Sequence, residues 1–158
     1  MANRHLHVYL VTAILAVFLL APSGCFAQEQ APRFSIRDVN GRIFSMNDYG
    51  KKTVLLIFST TWCPSCRTEI PHFKQIYQTY SHRGLEMANI DIQESRDKVA
   101  RFATKNQLPY RILLDEKGDV ASAYGIVGVP AMILIKDGVV VTRNYRLVDG
   151  TLEKLFRK

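Results

Sequence analysis

From residue 31 onward the chain switches between short apolar runs and stretches in which apolar side chains recur every three or four positions. These are the periods of covered strands and of helices packed along one face. The segment FSIRDVNGRIFSM at 34–46 predicts two short strands turning at Asn40-Gly41, a dipeptide that accepts the positive φ of a tight hairpin. KTVLLIFS at 52–59 is almost wholly apolar, the mark of a strand covered on both faces. Ile70, Phe73, Ile76, Tyr77 and Tyr80 then follow a helical period up to a stop at Arg83-Gly84, and Pro71 inside that helix is expected to bend it. LEMANIDI predicts a second central strand, and SRDKVARFATKNQ an amphipathic helix with Ser95 as N-cap and Val99, Phe102 and Ala103 facing inward. YRILLD reads as a short strand, 119–124 as a helical turn, AMILIKDGVVVTRNY as a hairpin about Asp137-Gly138, and 151–156 as a closing helix.

Strands that alternate with helices and end in a hairpin imply an α/β fold, a mixed sheet with helices on both faces and an N-terminal β-hairpin extension. Right-handed crossovers leave few such topologies open. No repeat, low-complexity tract or Gly/Pro/Ser-rich linker divides 31–158, so one domain is expected there, acting as a monomer.

The first 27 residues have a different pattern. Arg4 precedes the apolar run VYLVTAILAVFLLA at 8–21, which is shorter than the roughly 20 residues of a bilayer-spanning helix and suits the core of a signal peptide. Cysteine and alanine at 25 and 27 are small enough for cleavage after Ala27. Two further readings are a lipid on Cys25 and an uncleaved membrane anchor. Each carries the body of the protein across a membrane, which in a bacterium means the periplasm or the outer face of the inner membrane. The chain has a formal net charge of +7, but its basic residues are scattered, without an Arg-rich run or basic and aromatic interleaving. That is a solvated surface, and it excludes a nucleic-acid partner.

Two of the three cysteines stand together in WCPSCR at 62–67. A lone close pair is a poor staple, because it closes a loop too short to restrict the unfolded chain much. A metal centre needs about four ligands; past residue 31 the pair has only His72 and His82 beside it as soft or imidazole donors, at a spacing that matches no common zinc site, so no metal is expected. The third reading is a pair of thiols that exchange electrons. Cys63 follows a buried strand and opens a helix, with Pro64 at the first helical position, where its missing N–H and fixed φ cost nothing. Unpaired N–H groups and the positive end of the helix dipole there favour a thiolate at Cys63, making it the nucleophile. Cys66, one turn on, faces the same sulfur and can resolve a mixed disulfide.

FSTTWCPSCRTEIPHF followed downstream by GVPAMILIKDG resembles the TlpA/ResA-like branch of the thioredoxin superfamily over residues 31–158. The resemblance implies a thioredoxin-like fold and a thiol-disulfide oxidoreductase that needs no cofactor beyond its redox-active Cys63-Cys66 disulfide. It implies oxidised protein cysteines as substrates, apocytochrome c among them, and a membrane electron donor of the thiol-transfer type. It further implies that Val129-Pro130 is a cis-proline dipeptide beside the cysteines, where the Val129 backbone pairs with extended substrate. Glu69 falls on the family's active-site glutamate, expected to exchange protons with the thiols, and Trp62 is expected to offer contact area. The chain departs from thioredoxins at Ile57, which stands where they carry a buried aspartate, so more of the proton chemistry is expected of Glu69. Ser59 and Ser65 also replace an aromatic and a proline found in many relatives. Two other functions compete with this one. Thr60-x-x-Cys63-Pro64 partly matches a peroxidase motif, although Leu56 stands where that motif has proline; a non-catalytic binding or chaperone module would have no need for intact cysteines.

Overall fold

The computed structural model describes residues 28–145 and 149–157; the segment expected to direct export, 1–27, lies outside them. Strands β1 (Ser35–Arg37) and β2 (Ile43–Ser45) pair antiparallel as the N-terminal hairpin. Asp38 organises its turn, accepting the backbone N–H groups of Asn40 and Arg42, both at 2.9 Å. Five further strands form the central sheet: β3 (Thr53–Ser59), β4 (Leu85–Ile92), β5 (Arg111–Asp115), β6 (Ala131–Lys136) and β7 (Val139–Asn144). Their order is β5-β4-β3-β6-β7, with β3, β4 and β5 parallel and β6 and β7 antiparallel to their neighbours. The helices are α1 (Pro64–Tyr80), α2 (Arg96–Lys105), α3 (Asp119–Ala123) and α4 (Asp149–Phe156).

Strand β3 shows why its sequence is an unbroken apolar run. It lies at the centre of the sheet, and both of its faces are covered. Val54, Leu56 and Phe58 point into one core, with Phe44 of the hairpin and Val120, Ala121 and Tyr124 in and after α3. Leu55 and Ile57 point into the other, with Phe73 and Ile76 of α1, Val99 of α2 and Leu152 of α4. The parallel connections bring successive strand C-termini to the same end of the sheet, and β3 therefore delivers the cysteine motif to an edge formed by β3, β4 and the start of β6. Both outer strands are partly covered: Asp38 bridges Leu113 of β5, and Gln30 bridges Val139 of β7. These contacts occupy ladder groups that would otherwise be open to edge-to-edge pairing.

The expected elements are present, with two differences. Ser95 has the extended backbone of an N-cap, but its side chain makes no capping bond. The C-terminal helix begins at Asp149, two residues before the expected start.

Candidate active site

The end of β3 and the start of α1 create the site. Cys63 is the N-cap of α1, with extended backbone (φ −71°, ψ 117°), and Pro64 takes the first helical position. The cap interaction is made by sulfur: the Cys66 backbone N–H donates to Cys63 Sγ at 3.2 Å. The helix thus supplies one of its orphan donors to the first cysteine, as the strand-to-helix reading requires. Both cysteines are free thiols, at 6% and 5% exposure. The Cys63 thiol also donates to the carbonyl of Val129 at 3.7 Å. Val129-Pro130 is a cis peptide bond, and Pro130 is buried, so the two motifs meet across 66 residues of chain, as the resemblance implies. Burial, followed by the neighbouring Cys63 sulfur, pushes the Cys66 thiol up to about 12.

The other expected site residues lie around this centre. Trp62 is 63% exposed beside the pair, and Pro64 is exposed at the helix start. Glu69 lies on a partly exposed flank of α1, with His72 Nδ1 4.0 Å from its carboxylate. Ile57 is fully buried in the apolar core on the α1 side of the sheet.

A second acidic group comes from β4, where no motif marks it. Ile57 and Ser59 stand in register with Asn89 and Asp91, so these four side chains share the sheet face under α1. Ser59 Oγ donates to Asn89 Oδ1 at 2.8 Å. Glu94, at the turn into α2, clamps the approach to the cysteines: Thr61 donates to it from its backbone N–H at 2.5 Å and from Oγ1 at 2.6 Å, and Lys98 Nζ lies 2.5 Å away. Asp91 is 2% exposed and hydrogen-bonds to Glu94. Burial, and then that neighbour, raise the Asp91 carboxyl to about 9. Burial alone would raise Glu94 too, but hydrogen bonds from Asp91, Lys98 and Thr61 outweigh it and hold Glu94 at about 2. The pair therefore carries one proton at neutral pH, on Asp91. Asn89 and Asp91, polar residues at alternate positions in the second half of β4, were the available signal, since buried polar side chains in a central strand need a reason.

Comparisons with known proteins agree with this geometry. The AhpC/TSA family profile matches residues 27–147. Thiol-disulfide oxidoreductase ResA of Bacillus cereus is 31% identical over 149 residues, covering 88% of this chain and 86% of its own. ResA of Geobacillus thermodenitrificans is 32% identical over 142 residues, covering 89% and 79%. Among solved structures, the thioredoxin domain of a thiol-disulfide oxidoreductase from Bacteroides vulgatus superposes with a TM-score of 0.75 at 27% identity, over 84% of this chain and 99% of that one. A thioredoxin fold, a CxxC pair at a helix N-terminus and this similarity over most of the chain lead to one assignment: the chain belongs to the AhpC/TSA family and is a ResA-like thiol-disulfide oxidoreductase.

Proposed function

We propose that this oxidoreductase works outside the cytoplasm as a reductant of protein disulfides, with apocytochrome c as its substrate class and a membrane dithiol as its source of electrons. The observation that carries the reading is the position of Cys63 at the cap of α1, with the Cys66 N–H on its sulfur and the Val129 carbonyl beside it. In the forward half-reaction the Cys63 thiolate attacks one sulfur of a substrate disulfide. That S–S bond breaks, a Cys63-substrate bond forms, and the departing sulfur leaves as a thiolate that takes a proton. Cys66 then attacks Cys63, the second substrate sulfur leaves, and a Cys63-Cys66 disulfide remains. Two electrons have passed to the substrate, and the membrane dithiol restores them by the reverse sequence. The three-residue spacing makes the resolving step intramolecular.

Substrate selection is assigned to the groove at Val129 and Pro130, where an extended segment would pair with the backbone as an added strand, and to Trp62, whose exposed ring offers apolar contact. The proposed direction is that of a reductant, and the potential of the couple decides it: strong oxidants of this class are oxidising because their reduced form is stabilised. Export is supported by the signal-like pattern of 1–27.

The test is trapping. In Cys66→Ala the mixed disulfide on Cys63 should persist, and mass spectrometry should identify partners carrying paired cysteines of the apocytochrome type. Accumulation of partners on Cys66 in Cys63→Ala instead would reverse the two roles. Equilibration with a glutathione buffer should place the couple below about −200 mV, whereas a value near −120 mV would make it an oxidant.

A further inference from the structure

Cys66 cannot attack a mixed disulfide until it loses its proton, and it cannot leave as a thiolate without attracting one. Both events take place in a buried site, where an unaccompanied charge is costly. The residues at Ile57 and Glu69 do not meet the need: the first is apolar, and the second lies partly exposed beside His72. On the sheet face under α1, in register with Ser59, lies Asp91. It is 2% exposed, and its Oδ1 is buried without a hydrogen-bond partner among the described residues. Ser59 and Asn89 line one small cavity together with Cys66; Asp91 is the next residue on the Asn89 face of β4.

We propose that Asp91 is the catalytic acid and base for Cys66, with Glu94 as the residue that positions it. The inference rests on the disulfide-exchange reading above. During resolution Asp91 first releases its own proton to solvent, its carboxylate takes the proton from Cys66, the resulting thiolate attacks Cys63 Sγ, and the substrate thiolate departs. During re-reduction a donor thiolate attacks Cys63, the Cys63-Cys66 bond breaks, and the proton on Asp91 passes to the leaving Cys66 sulfur; the second donor thiol then releases Cys63 as the donor closes its own disulfide, and Asp91 regains a proton from solvent. The proton taken in one half-reaction is returned in the other, so the cycle balances. The groups that face this centre are Cys63 and Cys66 from α1, Glu94 and Lys98 from the turn into α2 and from α2 itself, and Tyr110 from the segment before β5. Glu94 stays ionised under its three donors and keeps the Asp91 proton shared. Asp91 itself is the group that titrates near pH 9.

An aromatic disulfide such as 5,5′-dithiobis(2-nitrobenzoate) separates the steps, because Cys63 attack releases the first chromophore and Cys66 attack the second. In the wild type the second phase should rise about tenfold per pH unit and level off near pH 9. Asp91→Asn retains a donor for Glu94. Its first phase should stay within about twofold of wild type, while its second should fall at least about tenfold at pH 9 and lose the break there. A second phase in Asp91→Asn with the wild-type rate and pH profile would overturn the proposal. Infrared spectroscopy of the wild-type reduced protein gives an independent check that needs no variant: a protonated carboxyl band should persist at pH 7 and disappear around pH 9, and its absence at pH 7 would equally overturn the assignment. Absence of the first phase in the wild type would instead refute disulfide exchange itself.

Discussion

Glu94 ties the loop before the cysteines to the start of α2, and its charge is the part of that link that can be measured. Glu94→Gln removes the charge while keeping a side-chain oxygen for Thr61. The carboxyl lies at about 2 in the fold against 4.5 for the free group, a difference of two to three pH units. At about 1.4 kcal/mol per unit, this gives an upper figure of roughly 3 kcal/mol for the ionised form. Asp91 reduces it, because the same charge that stabilises the fold through Thr61 and Lys98 also helps to keep Asp91 protonated. A net cost of about 2 kcal/mol is therefore expected at pH 7. The sign follows from linkage. A carboxyl depressed in the folded state contributes fully above its unfolded value, and the contribution is lost as pH falls from about 4.5 through about 2. Urea unfolding of the reduced wild type and Glu94→Gln at pH 7, 4.5 and 2.5 measures this directly, with an unchanged m-value as the check that the difference lies in stability. The gap should be about 2 kcal/mol at pH 7 and shrink below about 0.5 at pH 2.5. A gap that is the same at both extremes, or below about 0.5 kcal/mol at pH 7, would show that the charge of Glu94 is not what holds Thr61.

Two further outcomes follow from exposure and backbone geometry. Trp62 is the single tryptophan and is largely exposed next to Cys63, so fluorescence titration with a redox buffer should follow the state of the pair, while Trp62→Ala should change unfolding free energy by less than about 0.5 kcal/mol. Gly118 has φ +80°, and an added Cβ would lie 3.1 Å from Gln93 Nε2; Gly118→Ala should cost about 1–2 kcal/mol in a urea melt.

The unequal legibility of fold and site has a physical cause. Strand β3 declares itself because being covered on both faces requires every residue from Val54 to Phe58 to be apolar, and that is a property of one short run. Cys63 and Cys66 declare themselves because their chemistry depends on a local spacing at one helix start. Val129-Pro130 is distant in sequence, and no local period places it beside the cysteines; only resemblance supplied that contact, which the structure bears out. Asp91 belongs to a harder class. Its place opposite Ser59 is set by the register between β3 and β4, and a slip of one residue would send it to the opposite face. That register results from packing both faces of two strands at once, so it is written across the whole chain rather than near the motif. With Ile57 at the position expected for a buried aspartate, the motif positions point to Glu69 for the proton chemistry. Ile57 and Asp91 lie on the same face of adjacent strands, two positions apart in register. A carboxyl on β4 therefore faces the same floor of the site as one at position 57 of β3 would, which is why the chemistry of this pair is better sought in three-dimensional neighbourhoods than in motif positions.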